Sequence, residues 1–343
     1  MGRGSIQRRG KQSWRIRFEE GVDGAGKRKR RTITFRGKRQ DAQRELTRLL
    51  AAADTGTLPE PSKATIADYL RAWLGTGRAG DDGSHELSPK TVERYRELAV
   101  NQIVPHLGNT LLQKLTPDQI EKWHAGLRKG GAKDGGPLSA RTVGHAHRVL
   151  HRALQRAVEN LVLMRNVASI KSPPKVKKQE VEILTEDQIA LVTDKLVGHP
   201  LYEIAVVDLA TGMRRGELLA LRLSDIDLDR ATVRIERSLE ETKVGLRFKE
   251  PKTDHGKRTI SLPLNAVAVL RKHHLRLLET RMALGLGKPV GDTLLFAEAD
   301  GSPRRSDQLS WLWRSACKSL KLPQVSLHAL RHTHASALIA GGV

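Results

Sequence analysis

The chain has 343 residues, enough for two or three domains, and carries 60 Lys and Arg against 38 Asp and Glu, a net charge of +22 with a pI near 10.4. That balance points to a polyanionic partner, nucleic acid first. The lone Cys317 excludes an internal disulfide and fits a reducing cytosol, and the lack of any 18-residue apolar run excludes a membrane-spanning helix.

The charge is unevenly placed. Residues 1 to 60 hold 16 basic and 7 acidic side chains, residues 61 to 180 hold 20 and 11, and residues 181 to 343 hold 24 and 20. Net values of +9, +9 and +4 put the grip on nucleic acid in the first half and make the last part a packed catalytic or scaffold domain. The opening MGRGSIQRRGKQSW has no apolar secretory core, and Ile6 stands where a myristoylation motif needs Ser or Thr. A cytosolic protein is expected.

In QSWRIRF, residues 12 to 18, apolar Trp14, Ile16 and Phe18 alternate with Arg15 and Arg17, which is the period of a half-buried strand. GVDGAGK supplies a turn, KRKRRTITF with Arg28 and Arg30 returns as a strand, and residues 39 to 53 read as a helix. Residues 1 to 58 are thus expected to form a small three-stranded sheet with one helix, its outer face coated in Arg and Lys. TGTLPEPSK, residues 55 to 63, is a linker by composition.

Residues 63 to 170 read as an all-helical module. Thr65 caps a helix bearing Ile66, Tyr69, Leu70, Trp73 and Leu74, and Ser88 with Pro89 opens another that runs through Ile103. Further helices fit residues 117 to 129 and 139 to 163, separated by the flexible GGAKDGGP. The longer one has an apolar stripe of Leu138, Val143, Val149, Leu150, Leu154 and Val158. Its opposite face carries Arg141, His145, Arg148, Arg152 and Arg156, a cationic ridge suited to tracking phosphates or, equally, a solvated charged face.

KSPPKVKKQEVE, residues 171 to 182, is a second linker, and a mixed α+β, mainly helical domain follows from residue 180 to 343. Thr185 and Gln188 form a capping box. TVRIERSLE (232 to 240) and KRTISLPL (257 to 264) read as strands, and helices cover roughly 265 to 284, 306 to 320 and 328 to 340. Cys317 falls on an apolar helix face and reads as core.

Three segments of this domain carry chemistry. In ATGMRRGELLAL, Gly212 makes a turn that puts Arg214 in the first turn of the next helix, with Glu217 as its ion partner; alone, this also fits a plain helix start with a surface salt bridge. In HALRH, His328 and Arg331 lie one turn apart on one face. A guanidinium fork binds two non-bridging phosphate oxygens while an imidazole moves a proton near neutral pH, so the pair suits phosphodiester chemistry. Zinc at His328 and His332 would need further ligands that Cys317 supplies poorly, and His332 and His334 read as structural. Lys252, in a turn-rich loop between strands, is either simply solvated or able to swing its ammonium onto a leaving oxygen.

TGMRRGELLALRLSDID and HALRHTHAS, in this order and spacing, resemble the tyrosine recombinases of the phage integrase type, over the whole chain. The resemblance implies an arm-binding domain, a SAM-like core-binding domain and a catalytic domain. It makes Arg214 the first phosphate-binding arginine, Lys252 the proton donor to the 5′ oxygen, His328 and Arg331 the HxxR pair, and Glu217 and Asp225 supporting acids. It further implies double-stranded DNA with core and arm sites as partner, a homotetramer on paired sites, a possible DNA-bending accessory protein, a bacterial cytosolic location on DNA, and no metal or other cofactor.

The implied reaction is attack by a tyrosine hydroxyl that leaves a 3′-phosphotyrosyl link and a free 5′-hydroxyl, used to integrate or excise a mobile element. The tyrosines present are Tyr69, Tyr95 and Tyr202, all upstream of the site, and only twelve residues follow Arg331. The chain is therefore expected to lack the nucleophile, and to bind its DNA without cutting it. The alternative is a non-catalytic DNA-binding protein or regulator derived from an integrase.

Overall fold

In the computed structural model, which describes residues 4–22, 24, 28–76, 87–177, 182–251 and 256–340, contacts divide the chain into two units, Met1–Lys177 and Lys178–Val343.

The first unit begins with an antiparallel sheet of β1 (Gly4–Gly10), β2 (Ser13–Val22) and β3 (Arg28–Arg36). Ile16 faces Ile6 on one side and Ile33 on the other, so the period of two places Trp14, Ile16 and Phe18 on one face. Helix α1 (Arg39–Asp54) covers that face with Ala42, Leu46 and Leu49. Arg15 and Arg17 take the opposite face, as the alternation requires. Arg28 and Arg30 are less free than expected, because both pair with Glu19, at 3.5 and 3.4 Å.

The second core of this unit is helical. Thr65 and Asp68 form a capping box at α2 (Ile66–Gly75), and Ser88 caps α3 (Pro89–Leu98). The helix expected to run on through Ile103 instead widens into a π-turn over Ala99–Ile103 before α4 (Val104–Leu107). Pro105 explains the break: it lacks an N–H, and its ring crowds the carbonyl one turn earlier. Helix α5 (Pro117–Gly130) has a Thr116/Gln119 capping box, and α6 (Ala140–Glu159) is capped by Ser139.

Val143, Val149, Leu150 and Leu154 of α6 are buried with Trp73 and Trp123. Burying side chains of this kind stabilises by roughly 1.5–3 kcal/mol each. The segment expected as a free linker is held down. Arg31 donates to the Pro59 carbonyl at 2.7 Å, Gln113 donates to the Glu60 carbonyl at 2.8 Å, and Leu58 packs on the sheet's core.

Within this core, His124 and His147 are 7% and 5% exposed, with Nε2 and Nδ1 3.1 Å apart. One ring donates to the other's lone pair, which requires the accepting ring to be neutral. Burial, reinforced by His124, His151 and Arg148, pushes His147 down to about 4. An unfolded histidine takes its proton near 6.5, so His147's contribution is fully present above that pH and is lost as pH falls toward 4. The span corresponds to about 3 kcal/mol. The urea midpoint of the first unit should drop on acidification from about pH 7 to pH 5, and drop less in His147→Asn. Equal losses in both proteins would show that His147 is not the group responsible.

In the second unit, Thr185 and Gln188 cap α7 (Glu186–Lys195), and the apolar α8 (Tyr202–Thr211) lies in the core. It ends at Gly212, whose φ of 57° is left-handed, and the short α9 (Arg215–Leu218) follows. The strand expected over TVRIERSLE is in fact two. β4 (Ile226–Asp227), β5 (Thr232–Ile235) and β8 (Arg258–Ser261) form one sheet, while β6 (Ser238–Thr242) leaves it to pair with β7 (Gly245–Lys249).

Two buried acids stabilise this change of partner. Asp225 receives Arg237 at the break, and Glu240 receives Arg247 and Lys249 across the hairpin. Helices α10 (Leu264–Ala283), α11 (Ser306–Ser319) and α12 (His328–Ala340) complete the unit, with α12 packed on α8. Trp313 and Cys317 of α11 are buried, and burial pushes the Cys317 thiol up to about 11. None of the described helices is long and apolar enough to cross a membrane.

Candidate active site

The site starts at the end of α8. A side chain at Gly212 would bring its Cβ to 2.5 Å from His334 Cδ2, and the φ is strained for any L residue, so only glycine lets α12 lie against this turn. His334 locks the contact through Nδ1, 2.8 Å from the Leu209 carbonyl. His334 is thus structural, as expected. Arg331, one turn earlier on α12, donates to the Gly212 carbonyl. The turn thereby positions two arginines, Arg331 beneath it and Arg214 just after it.

Arg214 caps α9 in an extended conformation, and its backbone N–H donates to Glu217 Oε2 at 2.9 Å. Its Nη1 lies 2.8 Å from Glu217 Oε1, while most of its side chain stays in solvent. Arg258, at the start of β8, reaches the same carboxylate from the other side, with Nη2 2.9 Å from Oε2. Burial alone would raise the Glu217 carboxyl, but Arg258 and Arg214 hold it below its ordinary value. Glu217 is therefore an ionised buried anchor, unable to act as an acid.

His328 is exposed at the first position of α12, edge-on to His332 with ring centroids 4.7 Å apart. Its pKa is lowered, first by burial and then by His332, Arg331, Arg214 and Arg215. Arg214 and Arg331 thus both act on His328 through their charge. A neutral imidazole beside guanidinium groups can accept a proton while the arginines hold an oxyanion. Among the described residues, no three His, Cys, Asp or Glu side chains are grouped to hold a metal ion.

Lys252 lies outside the described residues. Asp225 is buried in a separate corner, where it accepts the Arg222 N–H at 2.8 Å and pairs with Arg237; no contact joins it to Arg214 or Arg331. In the first unit, Arg15 and Arg17 share a sheet face, and Arg141 and Arg148 are exposed on α6. His145, Arg148 and Arg152 line a cleft of about 480 Å³ with Arg94, Tyr95 and Arg156. There the Arg152 guanidinium lies 5.7 Å from the Tyr95 ring centroid and donates to its hydroxyl, so Arg152 is turned into the cleft.

Sequence reasoning missed Arg258 and Asp208. Asp208, on α8 one turn before Gly212, is 2% exposed, and Oδ1 has no hydrogen-bond partner among the described residues. Burial raises its pKa well above the usual carboxylate range, with Arg331 opposing and Glu217 adding to the rise. An acid in the middle of the apolar run IAVVDLA was the visible signal.

Comparison with known proteins decides the family. Residues 177–343 match the profile of the phage integrase family, and residues 81–128 match that of the phage integrase N-terminal SAM-like domain. Residues 177–343 belong to the phage integrase family. An integrase of Streptomyces ambofaciens is 28% identical over 97% of this chain and 84% of its own length. A XerC-like tyrosine recombinase of Caldanaerobacter subterraneus is 24% identical, over 97% and 87%.

Solved structures share the fold. The Tn1549 transposon integrase bound to transposon right-end DNA superposes with a TM-score of 0.64 at 21% identity, covering 81% of this chain and 88% of that chain. A lambda integrase tetramer bound to a Holliday junction gives 0.58 at 18% identity, over 96% and 90%. The mostly helical, multidomain tyrosine recombinase architecture expected from the two motifs is thus established.

Proposed function

We propose that this integrase is a site-specific recombinase that joins and releases a mobile element through a 3′-phosphotyrosyl intermediate. The convergence of Arg214, His328 and Arg331 about the Gly212 turn carries the reading. A tyrosine oxygen attacks phosphorus, the bond to the 5′ oxygen breaks, and that oxygen leaves with a proton. The two arginines stabilise charge on the five-coordinate phosphorus, His328 handles the attacking proton, and Lys252 supplies the leaving one. The bond energy is kept in the phosphotyrosyl ester for rejoining.

Residues 1–58 take the role of arm-binding domain, residues 63–170 that of core-binding domain, and residues 180–343 that of catalytic domain. Double-stranded DNA in the bacterial cytosol is the partner, with four copies on paired sites and a DNA-bending accessory protein.

A second reading, a DNA-binding protein that does not cut, is favoured by where the three tyrosines stand. Tyr69 packs on the helical core, and burial pushes its hydroxyl up to about 12. Tyr95 accepts a hydrogen bond from Arg152, and Tyr202 packs on the core of the second unit. None of them is the nucleophile. Incubation with DNA nicked at the target site separates the readings. These 343 residues should bind without forming a covalent adduct, and the same chain extended past Val343 by a segment that carries a tyrosine should form one. No adduct from that longer form would reject the recombinase.

Salt dependence tests the grip of the N-terminal region. Deleting residues 1 to 60 removes a net +9 and should flatten the fall of log affinity with log salt, since each lost phosphate contact lowers the slope by roughly 0.9. An unchanged slope would place this region off the DNA.

A further inference from the structure

A second cationic hollow adjoins the reactive cluster. A pocket of about 440 Å³ opens against His328 and is lined by Arg215, Ser310, Arg314, Ser326 and Leu327. Its chemistry is one-sided, with two guanidinium groups, two hydroxyls, an imidazole and no carboxylate. Most other arginines of this unit pair with acids, as Arg222 does with Asp292, Arg271 with Asp229 and Arg305 with Glu241, while Arg234 and Arg281 bond backbone carbonyls. Among the described residues, Arg215 and Arg314 have no acidic partner.

Their own bonds steady them without neutralising them. Arg215 donates to the Ser306 carbonyl at 3.2 Å and to the Ser310 hydroxyl, and Arg314 engages only Nε, 3.3 Å from the Ser310 carbonyl. Two preset forks with free N–H groups suit an oxyanion. On the same helix, one residue after Ser310 and three before Arg314, Trp311 is 61% exposed although Trp313, two residues on, is 1% exposed in the core. A large ring left in water within one helical turn of an unpaired cation is the composition that meets a sugar-phosphate strand.

Each strand of a duplex carries one phosphate per roughly 3.4 Å of helix axis. His328 lines both the reactive cluster and this hollow, so a strand with one phosphate at the cluster brings its neighbour to the hollow. The geometry points to a second phosphate seat, in which Arg215 and Arg314 hold the phosphodiester next to the reactive one and Trp311 covers the sugar between them. This seat fixes which phosphate of the strand meets His328. It rests on the integrase reading through the placement of the reactive phosphate.

The test uses the 343-residue chain and a random-sequence duplex, with Arg314→Ala because Arg314, unlike Arg215, ties no elements together. Acrylamide quenching, taken as the difference from Trp311→Phe, reports on Trp311 alone, and anisotropy at several salt concentrations reports affinity. DNA should shield Trp311, and Arg314→Ala should abolish the shielding and lower the salt slope by about one. Arg230→Ala, which removes an arginine 3.8 Å from Asp227, should keep the shielding. Trp311 equally accessible with and without bound DNA, or an Arg314→Ala protein that keeps wild-type shielding and slope, would overturn the seat. Failure of the unaltered chain to bind duplex at all is a different result, and it would reject the integrase reading itself.

Discussion

Glu217→Ala is expected to lower the stability of the second unit by about 3 kcal/mol, the lower end of the range for breaking a buried ion pair. The cause is charge left without its counterion. Glu217 is 4% exposed and takes Arg214 at 2.8 Å and Arg258 at 2.9 Å, as well as the Arg214 backbone N–H. Removing it strands the half-buried Arg258 and an N–H at the start of α9. Arg214 recovers part of the loss by turning into water, which is why the low end applies. For a unit of this size the melting temperature should fall by roughly 6–12 °C. Glu217→Gln should fall between, since it keeps an acceptor for one donor. A Glu217→Ala protein melting within a degree or two of the unaltered chain would show that the two arginines do not depend on this carboxylate.

Those same contacts mark the limits of reading this sequence. The Gly212 turn, Arg214 with Glu217, and His328 with Arg331 are legible because each is local: an apolar run stopped by TG, an i to i+3 ion pair, and an i to i+3 pair on one helix. Arg258 and Asp208 were illegible because their partners lie 41 and 123 positions away, at Glu217 and Arg331. Strand alternation marked TVRIERSLE correctly as extended. Periodicity says nothing about partners, so the change from β8 to β7 at Arg237 could not be read from it. The cationic ridge of α6 follows from spacing, yet Arg152 turns to Tyr95 and Arg156 pairs with Glu159 at 3.1 Å. The cap at Thr65 and the capping box at Thr185 were readable for the same reason as the ion pairs, being closed within one turn.

Arg331→Ala and Arg214→Ala should each slow strand cleavage about 10²- to 10³-fold, roughly 3–4 kcal/mol of barrier, in a form of the protein that carries the attacking tyrosine. DNA affinity should stay within about tenfold, because residues 1 to 180 hold a net +18 of the +22. The two variants should differ in stability. Arg214 is mostly solvated and its loss leaves buried Glu217 still paired with Arg258, whereas Arg331 satisfies the Gly212 carbonyl and is a cation set against buried Asp208.

Loss of Arg331 should therefore also lower the melting temperature, more at alkaline than at acidic pH. The raised pKa of Asp208 means the folded state favours its neutral form, so its burden grows as pH rises through that pKa. Arg331→Lys should recover stability better than cleavage, since an ammonium supplies the charge without the planar fork that grips two phosphate oxygens. If Arg331→Lys cleaves as fast as the unaltered protein, Arg331 acts as a point charge. If Arg331→Ala does so, the phosphate is held elsewhere and the site assignment fails.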